Sequence, residues 1–261
     1  MKSNKNRGVG KPFPKIIAHR GLAKGHIENT IPAFKAAIAA GADMIELDAH
    51  ETCDRRFIVY HDPSMEADAP AWSSLSYPRI RQLLKGDNRA PLLSDCLGAI
   101  GGIPVNIEVK SYLNSDDILV ALRNTPPSNG SVISSFDYRL LASLRRKKAG
   151  FPLFLNISIS RHQPVLENIR NALFCLLPGL LPEFLAGISV HHPLLHRVFV
   201  RRVQRTGAMV FVWTVDSPEN WKKFASWGVD GIITNAPDRL AAAYPWLAAS
   251  SMQAMALSRR K

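Results

Sequence analysis

Carboxylates and bases fall along this chain in a pattern that could hold a divalent cation against a phosphate. Glu46 and Asp48 lie two residues apart in one apolar run, Glu108 and Lys110 two apart in another, and His19-Arg20 and His61-Asp62 each follow a short apolar stretch. Side chains on a strand alternate faces with period two, so Glu46 and Asp48 share a face opposite Ile45 and Leu47, and Asn106, Glu108 and Lys110 share one opposite Ile107 and Val109. Three hard oxygen donors, Glu46, Asp48 and Glu108, suit one Ca²⁺ or Mg²⁺, and no cysteine or histidine spacing suggests zinc. Lys110 makes little sense as a cation ligand; with Arg20 it offers positive charge to a phosphoryl group bridging to the metal. His19 and His61 bring two imidazoles that near neutral pH can take a proton from a nucleophile or give one to a leaving alkoxide. The same groups could instead close on one another as a structural ion-pair cluster, although a buried cluster of charges is costly unless function retains it.

For these side chains to meet, the elements that carry them must open on one face. Eight short apolar runs recur, at Ile16 to His19, Met44 to His50, Val105 to Lys110, Val132 to Ser135, Pro152 to Ile159, Ala186 to His191, Met209 to Val215 and Gly231 to Thr234. Amphipathic segments such as Ile31 to Ala40, Asp116 to Arg123, Tyr138 to Lys148 and Pro218 to Trp227 lie between them. Strand and helix alternating about eight times predict an α/β chain folded as a (β/α)₈ TIM barrel, with a doubly wound open sheet as the alternative. The polar residues sit at the C-terminal ends of their runs, where barrels form active sites. Residues 63 to 91 break the alternation and read as a short insertion after the second barrel strand, with a helix at Tyr77 to Leu84. The expected organisation is a basic arm at 1–14, one barrel domain at 15–247 and a basic tail at 248–261.

Composition narrows the class. The 261 residues carry 33 Lys and Arg against 21 Asp and Glu, a formal charge of +12, and 46% are hydrophobic, which excludes a disordered or fibrous chain. Three widely spaced cysteines encode neither a disulfide framework nor a zinc knuckle, and the basic, polar first fifteen residues lack the apolar core of a secretory signal, so a reducing, cytoplasmic setting is expected. The most apolar stretch, Ala172 to Leu185, is broken by Pro178, Pro182 and Glu183 and is not a convincing membrane span. Positive charge favours anionic partners, but the basic runs lack interleaved aromatic residues, so nucleic acid is not expected.

Taken in order, His19-Arg20-Gly21, Glu28-Asn29-Thr30 with Ala33-Phe34, Glu46-x-Asp48, Thr52-x-Asp54, His61-Asp62, Glu108-x-Lys110, the Val212 to Asp216 run and the Gly228 to Thr234 run resemble the glycerophosphodiester phosphodiesterase family, in its compact bacterial type, over about residues 15 to 240. The resemblance implies a TIM barrel that uses a divalent cation to hydrolyse glycerophosphodiesters such as glycerophosphocholine or glycerophosphoethanolamine, releasing an alcohol and glycerol 3-phosphate. It implies Glu46, Asp48 and Glu108 as metal ligands, His19 and His61 as acid and base in either order, and Arg20 and Lys110 on the phosphate. Ile27 and Arg55 stand where the family usually has Pro and Gly, a matter of loop geometry. Asp216 and Asn235 replace a frequent Asn and Asp, a change expected to touch only rim contacts.

Other positions carry weaker readings. Glu28-Asn29-Thr30 precedes a helix-like segment with Pro32, so Asn29 or Thr30 reads as a helix cap, with Glu28 a candidate to orient Arg20. Trp213 could wall the substrate pocket or fill the core, and His191 is a candidate substrate contact. Leu173 to Leu185 could be a loop over the barrel mouth that dips into lipid, or an ordinary covering helix. Three functions follow: a hydrolase of small soluble phosphodiesters, favoured; a lysophospholipase D-like enzyme at a membrane surface; and a non-catalytic barrel that binds phosphodiesters or membrane. No oligomeric state is implied.

Overall fold

The runs are short and rich in β-branched and aromatic residues, and in two of them, Met44–Glu51 and Val105–Ser111, polar residues take every second place, so that one face of the strand turns to the barrel interior and the other to covering helices. The computed structural model of the protein describes residues 13–84, 90–160 and 164–244. Its parallel strands are β1 (Lys15–His19), β2 (Met44–Glu51), β4 (Val105–Ser111), β5 (Val132–Ser135), β6 (Leu153–Ile157), β7 (Gly187–His191), β8 (Met209–Trp213) and β9 (Gly231–Thr234). They follow one another around the sheet in chain order, and β1 pairs with both β2 and β9, which closes the barrel. Helices α1 (Ile31–Ala39), α3 (Leu93–Ile100), α4 (Ser115–Asn124), α5 (Tyr138–Arg146), α6 (Val165–Leu176), α7 (Arg197–Arg205), α8 (Pro218–Trp227) and α9 (Pro237–Ala243) alternate with the strands, and α2 (Tyr77–Leu83) lies in the insertion. The expected (β/α)₈ barrel is the observed fold. Among the described residues no helix is long and apolar enough to cross a membrane. Residues 1–12 of the expected arm and the whole expected tail lie outside the described residues.

One further strand is too short to show in the sequence pattern. β3 (Phe57–Val59) pairs antiparallel with the end of β2, His50 opposite Ile58, so the second barrel strand turns back on itself before the insertion begins. Three residues are too few for periodicity to reveal.

Inside the barrel the side chains are layered. Ile17, Met44, Val132, Phe154, Phe211 and Ile233 form a separate apolar cluster at the N-terminal end, with the Phe154 and Phe211 rings 4.6 Å apart. One step further along the same strands stand His19, Glu46, Ser134, Asn156 and Trp213. The plug thus floors a polar chamber. Two glycines make room for it: a Cβ on Gly231 would lie 2.6 Å from Ile17 Cδ1 and 2.8 Å from Phe211 Cδ1, and one on Gly187 would strike the Phe154 ring and lie 2.8 Å from the Met209 carbonyl oxygen.

Topology also relocates the apolar stretch at 173 to 185. Helix α6 leaves the C-terminal end of β6 and runs back toward the end where β7 begins, so Leu173 to Leu185 lies away from the mouth and does not roof it.

Gly187→Val is expected to cost about 1–3 kcal/mol by overpacking. At roughly 2–4 °C per kcal/mol for a chain of this size, thermal unfolding followed by circular dichroism reads the loss.

Candidate active site

Six of the charged candidates meet at one cavity of about 200 Å³, lined among others by His19, Arg20, Glu46, His61, Glu108 and Lys110. One oxygen each from Glu46, Asp48 and Glu108 lie within 4.8 Å of one another, the spacing of a site that could hold a metal ion. Register explains the meeting: Glu46 is level with His19 on β1 and with Asn106 on β4, and Asp48 is level with Glu108. Beyond Ala49 and Val109 the ladder skips one residue, so His50 pairs with Ser111 and Lys110 is the extra residue of a bulge.

Asp48 is the most enclosed of the three, 1% exposed. Its Oδ2 lies 3.1 Å from Arg20 Nε and accepts a hydrogen bond of 2.8 Å from Asn29 Nδ2, while its Oδ1 lies 3.3 Å from Lys110 Nζ. Burial alone would raise its pKa, but Lys110, Arg20 and the Asn29 bond together hold it below the ordinary carboxylate value. Glu46 and Glu108 are pushed the other way, by burial first; at Glu46 the neighbouring carboxylates add to it, and at Glu108 Lys110, 3.0 Å from Oε1, only partly offsets it. Lys110 is raised, because Glu108 and Asp48 outweigh its own burial. Three carboxylates meet only two cations here, Arg20 and Lys110, and Arg20 is shared with Glu28, so the cluster has an excess of acidic groups that a divalent cation would offset. The buried Asn106 Oδ1, which lines the same cavity without a hydrogen-bond partner, is a further oxygen donor beside the carboxylates. Hard oxygens, excess negative charge and an unsatisfied amide oxygen all fit a hard divalent cation.

The histidines are oriented from behind. Asn235 donates through Nδ2 to Asp216 Oδ2 at 2.8 Å, which turns its Oδ1 toward His19 Nδ1 at 2.7 Å. That carbonyl accepts the Nδ1 proton and leaves Nε2 for the cavity, where Glu46 Oε2 lies 4.0 Å away. His19 is held below the usual imidazole value by burial and then by Arg20. Asp216 and Asn235, expected to matter only as rim contacts, are therefore the support of His19. His61 Nδ1 lies 2.8 Å from Asp62 Oδ1, and the His61 carbonyl accepts from His50 Nε2 at 3.1 Å.

Several expectations change in detail. Arg20 and Glu28 do meet, at 2.9 Å. Thr30 stands at the N-cap of α1 but makes no side-chain cap bond there. Asn29 does not cap either: with φ of 57° it turns inward, and its amide brackets Asp48, donating to the carboxylate and accepting from the Asp48 N–H at 3.3 Å. The signal was present, since Asn is among the few side chains that tolerate positive φ, but a cap uses the same residue types. Trp213 lines the cavity, edge-on to Phe136 at 5.9 Å. His191 stands outside the lining and stacks on Trp213 at 4.8 Å. His50 bridges Ser111 Oγ and the His61 carbonyl, and no local spacing announces it, because one partner is distant in sequence and the other is backbone.

Residues 19–239 match the glycerophosphoryl diester phosphodiesterase family. A glycerophosphodiester phosphodiesterase of Caldanaerobacter subterraneus subsp. tengcongensis is 29% identical, over 86% of this chain and 95% of its own length. A human lysophospholipase D is 22% identical, over 87% of this chain and 84% of its own. Among solved structures, a phosphodiesterase of Oleispira antarctica in complex with the product sn-glycerol-3-phosphate superposes with a TM-score of 0.70 over 88% of this chain and 96% of that one, at 20% identity, a likeness of fold.

Asn29→Ala removes a bond to Asp48 and leaves the three carboxylates in place. It is expected to weaken Ca²⁺ or Mg²⁺ binding by roughly 10–100-fold, as loss of such supporting bonds does elsewhere, read by calorimetric titration with the fold checked by circular dichroism.

Proposed function

The chain belongs to the glycerophosphoryl diester phosphodiesterase family, whose reaction is the hydrolysis of glycerophosphodiesters, and we propose that it cleaves small soluble diesters such as glycerophosphocholine or glycerophosphoethanolamine to glycerol 3-phosphate and an alcohol. The observation that carries this reading is the convergence of Glu46, Glu108, Arg20, Lys110 and two oriented histidines on one cavity, with Asp48 beside them in the carboxylate cluster. Glu46, Asp48 and Glu108 would hold one divalent cation, Ca²⁺ or Mg²⁺. When bound, it polarises the phosphoryl group and neutralises charge developing on its oxygens.

Each protein group then has a distinct task. Arg20 and Lys110 bind the non-bridging phosphoryl oxygens, the guanidinium as a fork and the ammonium as a point charge. His19, its Nδ1 proton held by Asn235, takes on Nε2 the proton of the attacking water as the water oxygen bonds to phosphorus. His61, with Asp62 on its Nδ1, gives a proton to the leaving alkoxide as the P–O bond breaks. Trp213, backed by His191, forms an apolar wall for the glycerol or the head group. A reducing, cytoplasmic setting and one domain over residues 15–247 belong to the same reading, since the three widely spaced cysteines encode no disulfide framework.

Glycerophosphocholine should yield glycerol 3-phosphate in a reaction abolished by EDTA and restored by added Ca²⁺ or Mg²⁺. Hydrolysis indifferent to EDTA would overturn the metal assignment. Glu46→Gln and Glu108→Gln are expected to lose activity together with calorimetric metal binding, since each removes one anionic oxygen. His19→Ala and His61→Ala should keep metal affinity and lower kcat by roughly 10²–10⁴-fold. A near wild-type kcat in either would make that histidine structural.

A further inference from the structure

Helix α6 is inside out. Its neighbours bury apolar faces and expose basic ones: α5 buries Leu140, Leu141 and Leu144, and α7 buries Phe199, Val200 and Val203. The side of α6 that meets the barrel carries Asn168, bonded to the Ser160 backbone, Asn171, bonded to the Ser158 carbonyl, and Phe174. Its outer side carries Leu166, Ile169, Leu173 and Leu176, spaced three, four and three residues apart. That spacing makes one stripe along a helix about 18 Å long. Leu166 is 80% exposed and Leu176 69%. Leu177 and Leu180, also exposed, extend the stripe past the helix end into a groove whose other wall is Arg202 and Arg205 of α7. Arg197 and Arg201 continue that basic row, and both are exposed.

Scattered exposed apolar residues need no explanation, but a continuous leucine stripe beside a row of arginines does. We propose that this face, α6 with the turn after it and the outer side of α7, rests on an anionic lipid surface, with the leucines among the acyl chains and the arginines on lipid phosphates. Charge decides between occupants. A second copy packed about an axis across both helices would set the arginine row against its own image, and one about an axis along α6 would leave the row without a counter-charge, whereas an anionic bilayer meets it with opposite charge. Because α6 begins at the mouth end of β6, the docked face would hold the chamber beside the membrane with its opening directed along the surface. Attachment of this kind is separate from the choice of substrate and does not rest on the hydrolase reading.

The test is co-sedimentation of the full chain with vesicles of phosphatidylcholine alone and of phosphatidylcholine with phosphatidylglycerol, at low and at physiological salt. Wild type should sediment with the anionic vesicles, less so as salt rises, and poorly with phosphatidylcholine alone. Leu166→Ser/Leu173→Ser/Leu176→Ser keeps every charge and should bind the anionic vesicles about tenfold or more weakly, with helical content and glycerophosphocholine turnover unchanged. Arg202→Glu/Arg205→Glu keeps every leucine and should abolish the preference for anionic lipid, which preserves the test if the triple variant fails to fold. Wild type left in the supernatant would overturn the proposal. So would a leucine variant that binds as well as wild type, which would assign binding to other basic segments, or a dimer in sedimentation velocity that the leucine variant dissolves.

Discussion

The mouth of this barrel depends on keeping the Asp48 carboxylate ionised where almost no water reaches it. A buried charge is tolerated only when paired and hydrogen-bonded, and removing one partner of such a pair costs about 3–5 kcal/mol. Asp48 has partners on both oxygens: Arg20 and Asn29 on one, Lys110 on the other. Each comes from a different stretch of chain, after β1, before α1 and from the bulge of β4. The requirement of one carboxylate therefore fixes three segments, and with them the groups that meet the phosphate. Satisfying Asp48 leaves the repulsion at Glu46 and Glu108 only partly relieved, which is where a cation has the most to gain.

The floor beneath the site serves the same end. Phe154 and Phe211, admitted by Gly187 and Gly231, seal the lower half of the barrel, so the polar layer above rests on a dry base. Electrostatic interactions there are stronger than they would be in a water-filled channel. One alternating sequence pattern thus supplies both layers, apolar at one strand position and charged at the next on the same face.

How much of this was legible follows from the range of the interactions. Period two places Glu46 with Asp48 and Glu108 with Lys110 from the sequence alone, and alternation of strand and helix gives the barrel. The support of those residues is not local. Asn235 reaches His19 across 216 positions, and His50 reaches Ser111 across 61. Asn29 was visible but ambiguous, since the residue types that cap helices also accept positive φ. The three residues of β3 were too short to show a period. The leucines after β6 are plainly apolar in the sequence, but only the path of α6 shows that they line its outer face and lie away from the mouth.

The hairpin of β2 and β3 separates what must stay from what can vary. Tyr60 N–H donates to the Asp48 carbonyl at 3.1 Å and His50 holds the His61 carbonyl, so His61 is fixed to the strand that carries Glu46 and Asp48 before the insertion starts. The insertion is then fastened again at Trp72, whose backbone N–H bonds the Pro63 carbonyl and whose indole N–H bonds the Asp62 carbonyl. Between these two anchors, residues 65–71 are mostly exposed. This stretch is where the chain can be lengthened without moving the reacting groups, because both of its ends are already fastened beside the strand that carries them.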